Sequence, residues 1–174
     1  MAILPIIIAP DPRLKRVSRP VDRVDDDIRR LMDDLLETMY EAPGIGLAAP
    51  QAGILKRVVV VDASEKDEPS RPLFMANPTI VETSSETAVY EEGCLSLPEQ
   101  FSDVTRPARA TFRYLDREDE PRELVAEGLL ATCIQHEIDH LDGVLFVDHI
   151  SALKRNIILR KLTKAKKQRT LVSA

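Results

Sequence analysis

The sequence predicts an α+β fold: antiparallel β-sheets packed around a central helix that carries an H-E-x-x-H motif, with one helix before the strands and a basic helix after them. Three observations lead there. Short apolar runs separated by turn residues fill the middle of the chain, helical periodicity stands on either side of them, and the links between neighbouring runs are short. A parallel crossover needs a dozen or more residues, so short links favour antiparallel pairing. The 174 residues fit a single domain spanning 1–174, with room for a sizeable core. An apolar fraction of 44% and a charged fraction of 30% argue against disorder. We find no repeat, low-complexity stretch or linker that would divide the chain.

The opening Met1-Ala2-Ile3-Leu4-Pro5-Ile6-Ile7-Ile8 is apolar but lacks a basic lead-in, and Pro5 and Pro10 interrupt it. It reads as an edge strand rather than a signal peptide. The first helix is expected over Asp25 to Glu41, where Ile28, Leu31, Met32, Leu35, Leu36, Met39 and Tyr40 form one stripe. Asp25 to Asp27 put negative charge at its positive end, and Pro43-Gly44 stop it. Gly44 to Gln51 then reads as a loop of small residues ending in one amide. Strands are expected at Arg57–Asp62, Leu73–Ala76, Thr79–Thr83, Thr87–Glu91, Ala110–Leu115 and Glu123–Ala126. Asn77-Pro78 and Asp116-Arg117-Glu118-Asp119 supply turns. A second helix is expected over about Gly128 to Leu141 and a third over about Ile150 to Lys167.

No apolar run approaches the roughly 20 residues that span a bilayer, so no membrane partner is expected. Cys94 and Cys133 are the two cysteines, too few for a disulfide framework, and reduced thiols in a cytoplasm are the simpler expectation. Net charge is −5, unevenly spread: after Asp148 there are eight cations and no acid, and removing those eight leaves −13 on the remainder. Such a tail is either a solvated helix face or a contact for polyanionic RNA.

The chemistry concentrates in His136-Glu137-Ile138-Asp139-His140. Residues four apart share one helix face, so both imidazoles can reach a single ion. Glu137 stands about 100° round the helix, free to act as a base towards an activated water without being a ligand. Two of the chain's three histidines fall in this pattern; His149 reads as a surface or helix-start residue. A catalytic site needs a third protein ligand. The histidine position of extended metalloprotease motifs is Phe146 here, leaving Asp148, Cys133 and Cys94. Cys133 to His140 spans about 10 Å of helix axis, so Cys133 reads as a buried wall. Cys94, beside Gly93 at an apparent strand end, is the better candidate, although spacing alone does not decide it.

Gly44-Ile45-Gly46-Leu47-Ala48-Ala49-Pro50-Gln51, Glu92-Gly93-Cys94-Leu95-Ser96 and Gln135-His136-Glu137-Ile138-Asp139-His140-Leu141-Asp142-Gly143 together resemble the three motifs of the bacterial peptide deformylases, complete and in order. The flanking segments are similar too. The resemblance implies that Cys94, His136 and His140 bind one divalent ion, ferrous iron in the cell with zinc, nickel or cobalt as substitutes. It implies removal of the N-formyl group from the initiator methionine of new proteins, with Glu137 moving protons and with Gln51 and the Leu95 N–H stabilising the oxyanion. Ile45, Leu129, Cys133 and His136, with Tyr90 nearby, would form the methionine pocket. Gly46 and Gly93 would pair with the substrate backbone. The basic last helix would dock on the ribosome near the nascent-chain exit.

Overall fold

The structure, a computed structural model, describes residues 2–173, of which 170–173 by backbone alone. Ten elements follow in order: α1 (Asp26–Glu41), β1 (Gly46–Ala48), β2 (Val58–Val61), β3 (Leu73–Thr83), β4 (Thr87–Cys94), β5 (Leu97–Pro107), β6 (Arg109–Leu115), β7 (Pro121–Glu127), α2 (Gly128–Leu141) and α3 (Ala152–Ser173). Five strands form an antiparallel sheet in the order β1-β2-β3-β6-β7, while β4 and β5 form a separate antiparallel hairpin. This is the α+β architecture expected.

The run Val58-Val59-Val60-Val61 is buried throughout because helices cover both faces of its sheet. Successive side chains on a strand alternate between faces. Val59 and Val61 therefore join Met75, Phe112, Ile134, Ile138 and Leu141 beneath α2. Val58 and Val60 join Met32, Leu35 and Met39 of α1. A third core joins Leu14, Leu97, Val104 and Phe146 to Ile158 and Leu162 of α3. α1 begins where Asp25 accepts a hydrogen bond from the Ile28 N–H at 3.0 Å, and it ends at Glu41, one residue before Ala42-Pro43-Gly44.

Several local expectations are corrected. Asn77-Pro78 does not end a strand: β3 runs through it with a register shift between Ala76 and Thr79. Pro78 has no N–H to give a ladder, and Asn77, at φ 49°, turns its amide to both backbone groups of Val21 at 2.8 Å. The N-terminal residues are not a strand either; Ile7 and Ala9 make isolated bonds to Gln51 O and Ser96 O at 2.7 and 2.8 Å. Gly46–Ala48, expected as loop, is β1, and the whole of β5 lacked an expectation. β4 runs on to Cys94, and α3 is displaced to Ala152–Ser173.

The C-terminal end of α2 is clamped. Arg57 donates to Leu141 O at 3.1 Å and pairs with Asp142 at 3.0 Å, and the Ser18 N–H bonds Leu141 O at 2.8 Å. Gly143, at φ 73°, lies so close to the Lys15 backbone that no Cβ fits. The helix that carries the motif is thereby fixed against the N-terminal segment and the residue that leads into β2.

Candidate active site

α2 is unusual in burying its polar residues: Thr132, Gln135, His136, Glu137 and His140 all lie inside. It does so because β4 crosses its face and brings Cys94 over the histidines. Cys94 Sγ is 3.3 Å from His140 Nε2, which is 3.2 Å from His136 Nε2. Among the described residues this trio is the one group of three metal-binding side chains whose donor atoms all lie within 4.8 Å of one another. At 3.2 Å one of these two ring nitrogens must carry a proton that the other accepts, unless an ion lies between them. Burial disfavours charge on His136, yet its hydrogen bonds with Cys94 and Glu92 outweigh that and hold its pKa well above the ordinary value. Burial and the neighbouring His136 push His140 well below it. A thiolate and two imidazoles converging on one point fit a divalent ion.

His136 Nδ1 lies 2.9 Å from Glu92 Oε1, so Nδ1–H donates away from the cradle and Nε2 is the atom turned into it, where it would offer its lone pair to an ion. Glu92 is gripped by the Arg106 fork at 2.7 and 2.9 Å, and Arg106 reaches Asp139 at 2.8 Å. Burial works against the Glu92 charge, but the bonds from His136 and Arg106 prevail and hold its carboxyl at about 2. The sequence reading gave Glu92, Arg106 and Asp139 no role. Glu92 and Asp139 lay inside the quoted motifs, whereas Arg106, twelve residues beyond Cys94, carried no local signal.

Glu137 sits beside the cradle, buried, with one carboxylate oxygen lacking any protein partner. Burial pushes its pKa up to about 7. Gly46 lies against it: a Cβ there would come within 2.9 Å of both the Glu137 carboxyl carbon and Cys133 Sγ. Gln51 accepts from the Ala48 N–H at 2.9 Å, which turns its amide nitrogen towards Ser96 Oγ at 3.1 Å and Cys94 Sγ at 3.4 Å. Leu95 opens the turn joining β4 to β5.

These groups face a cleft of about 680 Å³. Ile45, Gly46, Gln51, Gly93, Cys94, Leu95, Leu129, Cys133, His136 and Glu137 all line it, and so does Tyr90. His140 lies beneath, 1% exposed. Burial raises the Cys133 thiol well above its usual range, consistent with an uncharged wall. The sequence reading missed Phe101, whose ring covers Gly93 at the cleft edge. Asp148, the rival third ligand, is occupied elsewhere by Lys15, the Leu145 N–H at 2.9 Å and Arg155 at 3.6 Å. His149 ends a short helical turn and meets Asp139 at 2.7 Å.

An α+β scaffold holding a sulfur–imidazole–imidazole cradle, a buried carboxylate and an apolar cleft defines the class of metal-dependent hydrolases. The chain belongs to the polypeptide deformylase family, whose sequence profile matches residues 3–156. It is 57% identical to a peptide deformylase of Rhizobium meliloti (strain 1021) over 169 residues, covering 97% of each chain. It is 56% identical to one from Phenylobacterium zucineum (strain HLK1), covering 94% of this chain and 97% of that one. Among solved structures, peptide deformylase from Ehrlichia chaffeensis superposes with a TM-score of 0.92 at 39% identity, covering 97% and 99% of the two chains. The same organism's enzyme in complex with actinonin gives 0.91 at 41%, covering 95% and 98%.

Proposed function

We propose that this chain, as one catalytic domain over residues 1–174, hydrolyses the N-formyl group of N-terminal formylmethionine on newly synthesised proteins and releases formate. The observation that carries this reading is the convergence of Cys94 Sγ, His136 Nε2 and His140 Nε2 beside a Glu137 carboxyl with one buried, partnerless oxygen. Cys94, His136 and His140 would hold the ion, Fe2+ in the cell, and zinc, nickel or cobalt also suit the donor set. When bound, the ion polarises the formyl oxygen and acidifies a water. Glu137 takes the proton of the attacking water and passes it to the departing amine nitrogen; its burial, which favours the protonated carboxyl, helps it hold that proton between the two halves of the transfer. The Gln51 amide, fixed through Ala48, and the Leu95 N–H donate to the oxygen that becomes negative.

The cleft also explains how a peptide with any sequence can enter. β1 ends one sheet and β4 belongs to another, so each has an edge free for pairing at the cleft. A substrate strand lying between Gly46 and Gly93 gains backbone hydrogen bonds independent of its side chains. Its methionine enters between Ile45, Leu129, Cys133 and His136. An apolar pocket separates side chains differing by one methylene by only about 1–3 kcal/mol, so the preference for methionine is graded.

The basic face of α3 suits contact with ribosomal RNA near the nascent-chain exit, in the cytoplasm. Lys161, Lys164 and Lys167 are exposed. No helix among the described residues is long and apolar enough to cross a membrane.

The decisive assay offers the ferrous protein a formyl-Met-Ala-Ser peptide and its unformylated counterpart under anaerobic conditions. Formate should appear only with the first, and neither peptide chain should be cut. Cleavage of the chain without formate would overturn the reading.

A further inference from the structure

We propose that His149 is a positioning residue for the ion site, acting on His136 through Asp139, Arg106 and Glu92; this rests on the ion-site reading above. Starting at the cradle, His136 Nδ1 meets Glu92 Oε1 at 2.9 Å. Arg106 holds both Glu92 oxygens at 2.7 and 2.9 Å and sends its remaining nitrogen to Asp139 Oδ2 at 2.8 Å. His149 Nε2 lies 2.7 Å from that same Asp139 oxygen. The relay therefore joins β4 (Glu92), β5 (Arg106), α2 (His136 and Asp139) and the short turn Phe146–His149. β4 supplies the sulfur of the cradle and α2 its two nitrogens, so the relay fixes the two halves of the site relative to each other.

The end of the relay is where it can slacken. Arg106 and Glu92 are each about 5% exposed, whereas the Asp139 and His149 side chains are 22% and 35% exposed. A carboxylate held only from its inner side can turn out to water. The His149 N–H holds Asp139 Oδ2 from the outer side, where Arg106 needs it. With Asp139 turned away, a buried guanidinium N–H would lose its acceptor, and Arg106 would bear on Glu92 alone. Glu92 orients the His136 ring, and the orientation of a ligand imidazole by its outer partner is a recognised control on ion affinity. The adjacent Asp148 is taken up by Lys15 and Arg155, which leaves Asp139 as the acceptor for His149.

The test uses the full chain loaded with cobalt(II) and then exposed to excess EDTA, following decay of the thiolate-to-cobalt absorption band. His149→Phe should release cobalt about 3- to 10-fold faster, below the 10- to 100-fold typical of a direct partner of a ligand. His149→Gln, which restores an N–H donor, should bring release back to within about twofold of the parent, and His149→Phe should add nothing once Asp139→Ala has removed the shared acceptor. Unchanged release in His149→Phe, or the same increment in the Asp139→Ala background, overturns the inference. If the phenylalanine variant folds poorly, His149→Ala against His149→Gln makes the same comparison. A missing thiolate band in the parent protein would instead overturn the ion-site reading, so the two failures are distinct.

Discussion

α2 and α3 are both rich in polar side chains, but they use them in opposite ways. α2 buries a glutamine, two histidines and a glutamate, each placed against a specific partner or left facing the cleft. α3 turns almost all its cations to solvent and touches the body through Ile158 and Leu162. Burial makes polar groups expensive unless they are satisfied, so the exceptions in α2 mark chemistry. Solvated charge costs little and carries only long-range attraction. Substitutions in α2 should therefore change turnover or folding sharply, and those in α3 should leave both nearly unchanged.

The largest effect is expected at Glu137. Glu137→Gln should leave the ion bound while lowering kcat/KM for a formylated peptide by about 10²–10⁴-fold. The same variant should make the ion-free protein more stable at pH 8. The folded-state pKa is raised to about 7, so the native chain holds this proton more tightly than the unfolded one. The stability that protonation confers is complete below pH about 4.5 and is lost as the pH rises through about 7; the substitution recovers on the order of 3 kcal/mol above that point. Urea titrations of both proteins at pH 5 and pH 8 measure it, and equal gains at the two pH values would contradict the assignment.

Next comes Arg106. Arg106→Met leaves Glu92 buried and uncompensated, and should destabilise the fold by about 3–5 kcal/mol. A midpoint in denaturant close to that of the parent would show that the buried network does not hold the hairpin to α2. Gln51→Ala should remove about 2.7–4 kcal/mol of transition-state stabilisation with little change in KM. A rise in KM alone would make Gln51 a binding residue only.

The smallest effect on chemistry is expected in α3. Reversing charge at Lys161, Lys164 and Lys167 to glutamate should change stability by no more than about 0.5 kcal/mol and spare hydrolysis of a short peptide. Affinity for ribosomes should fall by on the order of tenfold at low salt. Charge reversal is preferred to deleting the helix, because deletion would also strip Ile158 and Leu162 from the core they share with Leu14 and Phe146. Undiminished ribosome binding would leave α3 as a solvated face.

The same contrast explains what could be read from the sequence. α1 is legible nearly to the residue, because a long periodic stripe and clear stop residues mark it, whereas α2 matches its expected bounds without such a stripe, since it is buried on almost every side. β5 is not legible: Pro98, Glu99, Ser102 and Asp103 spoil any alternation, and only its pairing with β4 makes it a strand. β1 is only three residues, Gly46-Leu47-Ala48, whose extended form is imposed by Val59 to Val61 alongside. The two imidazoles of the cradle followed from helical spacing alone. The sulfur did not, since Cys94 lies 42 residues before His136 and local pattern is blind to that distance; motif resemblance supplied it. Glu92, Arg106, Asp139 and His149 form a relay through four separate elements, and no segment of sequence announces it.

The most direct test of the account is the coordination of the bound ion. X-ray absorption on the protein loaded with one zinc or cobalt per chain should find a single sulfur and two imidazole nitrogens from the protein. Replacing Cys94 with alanine should remove the sulfur signal. A spectrum with no sulfur scatterer, or one unaltered by that replacement, would contradict the site on which every step proposed here depends.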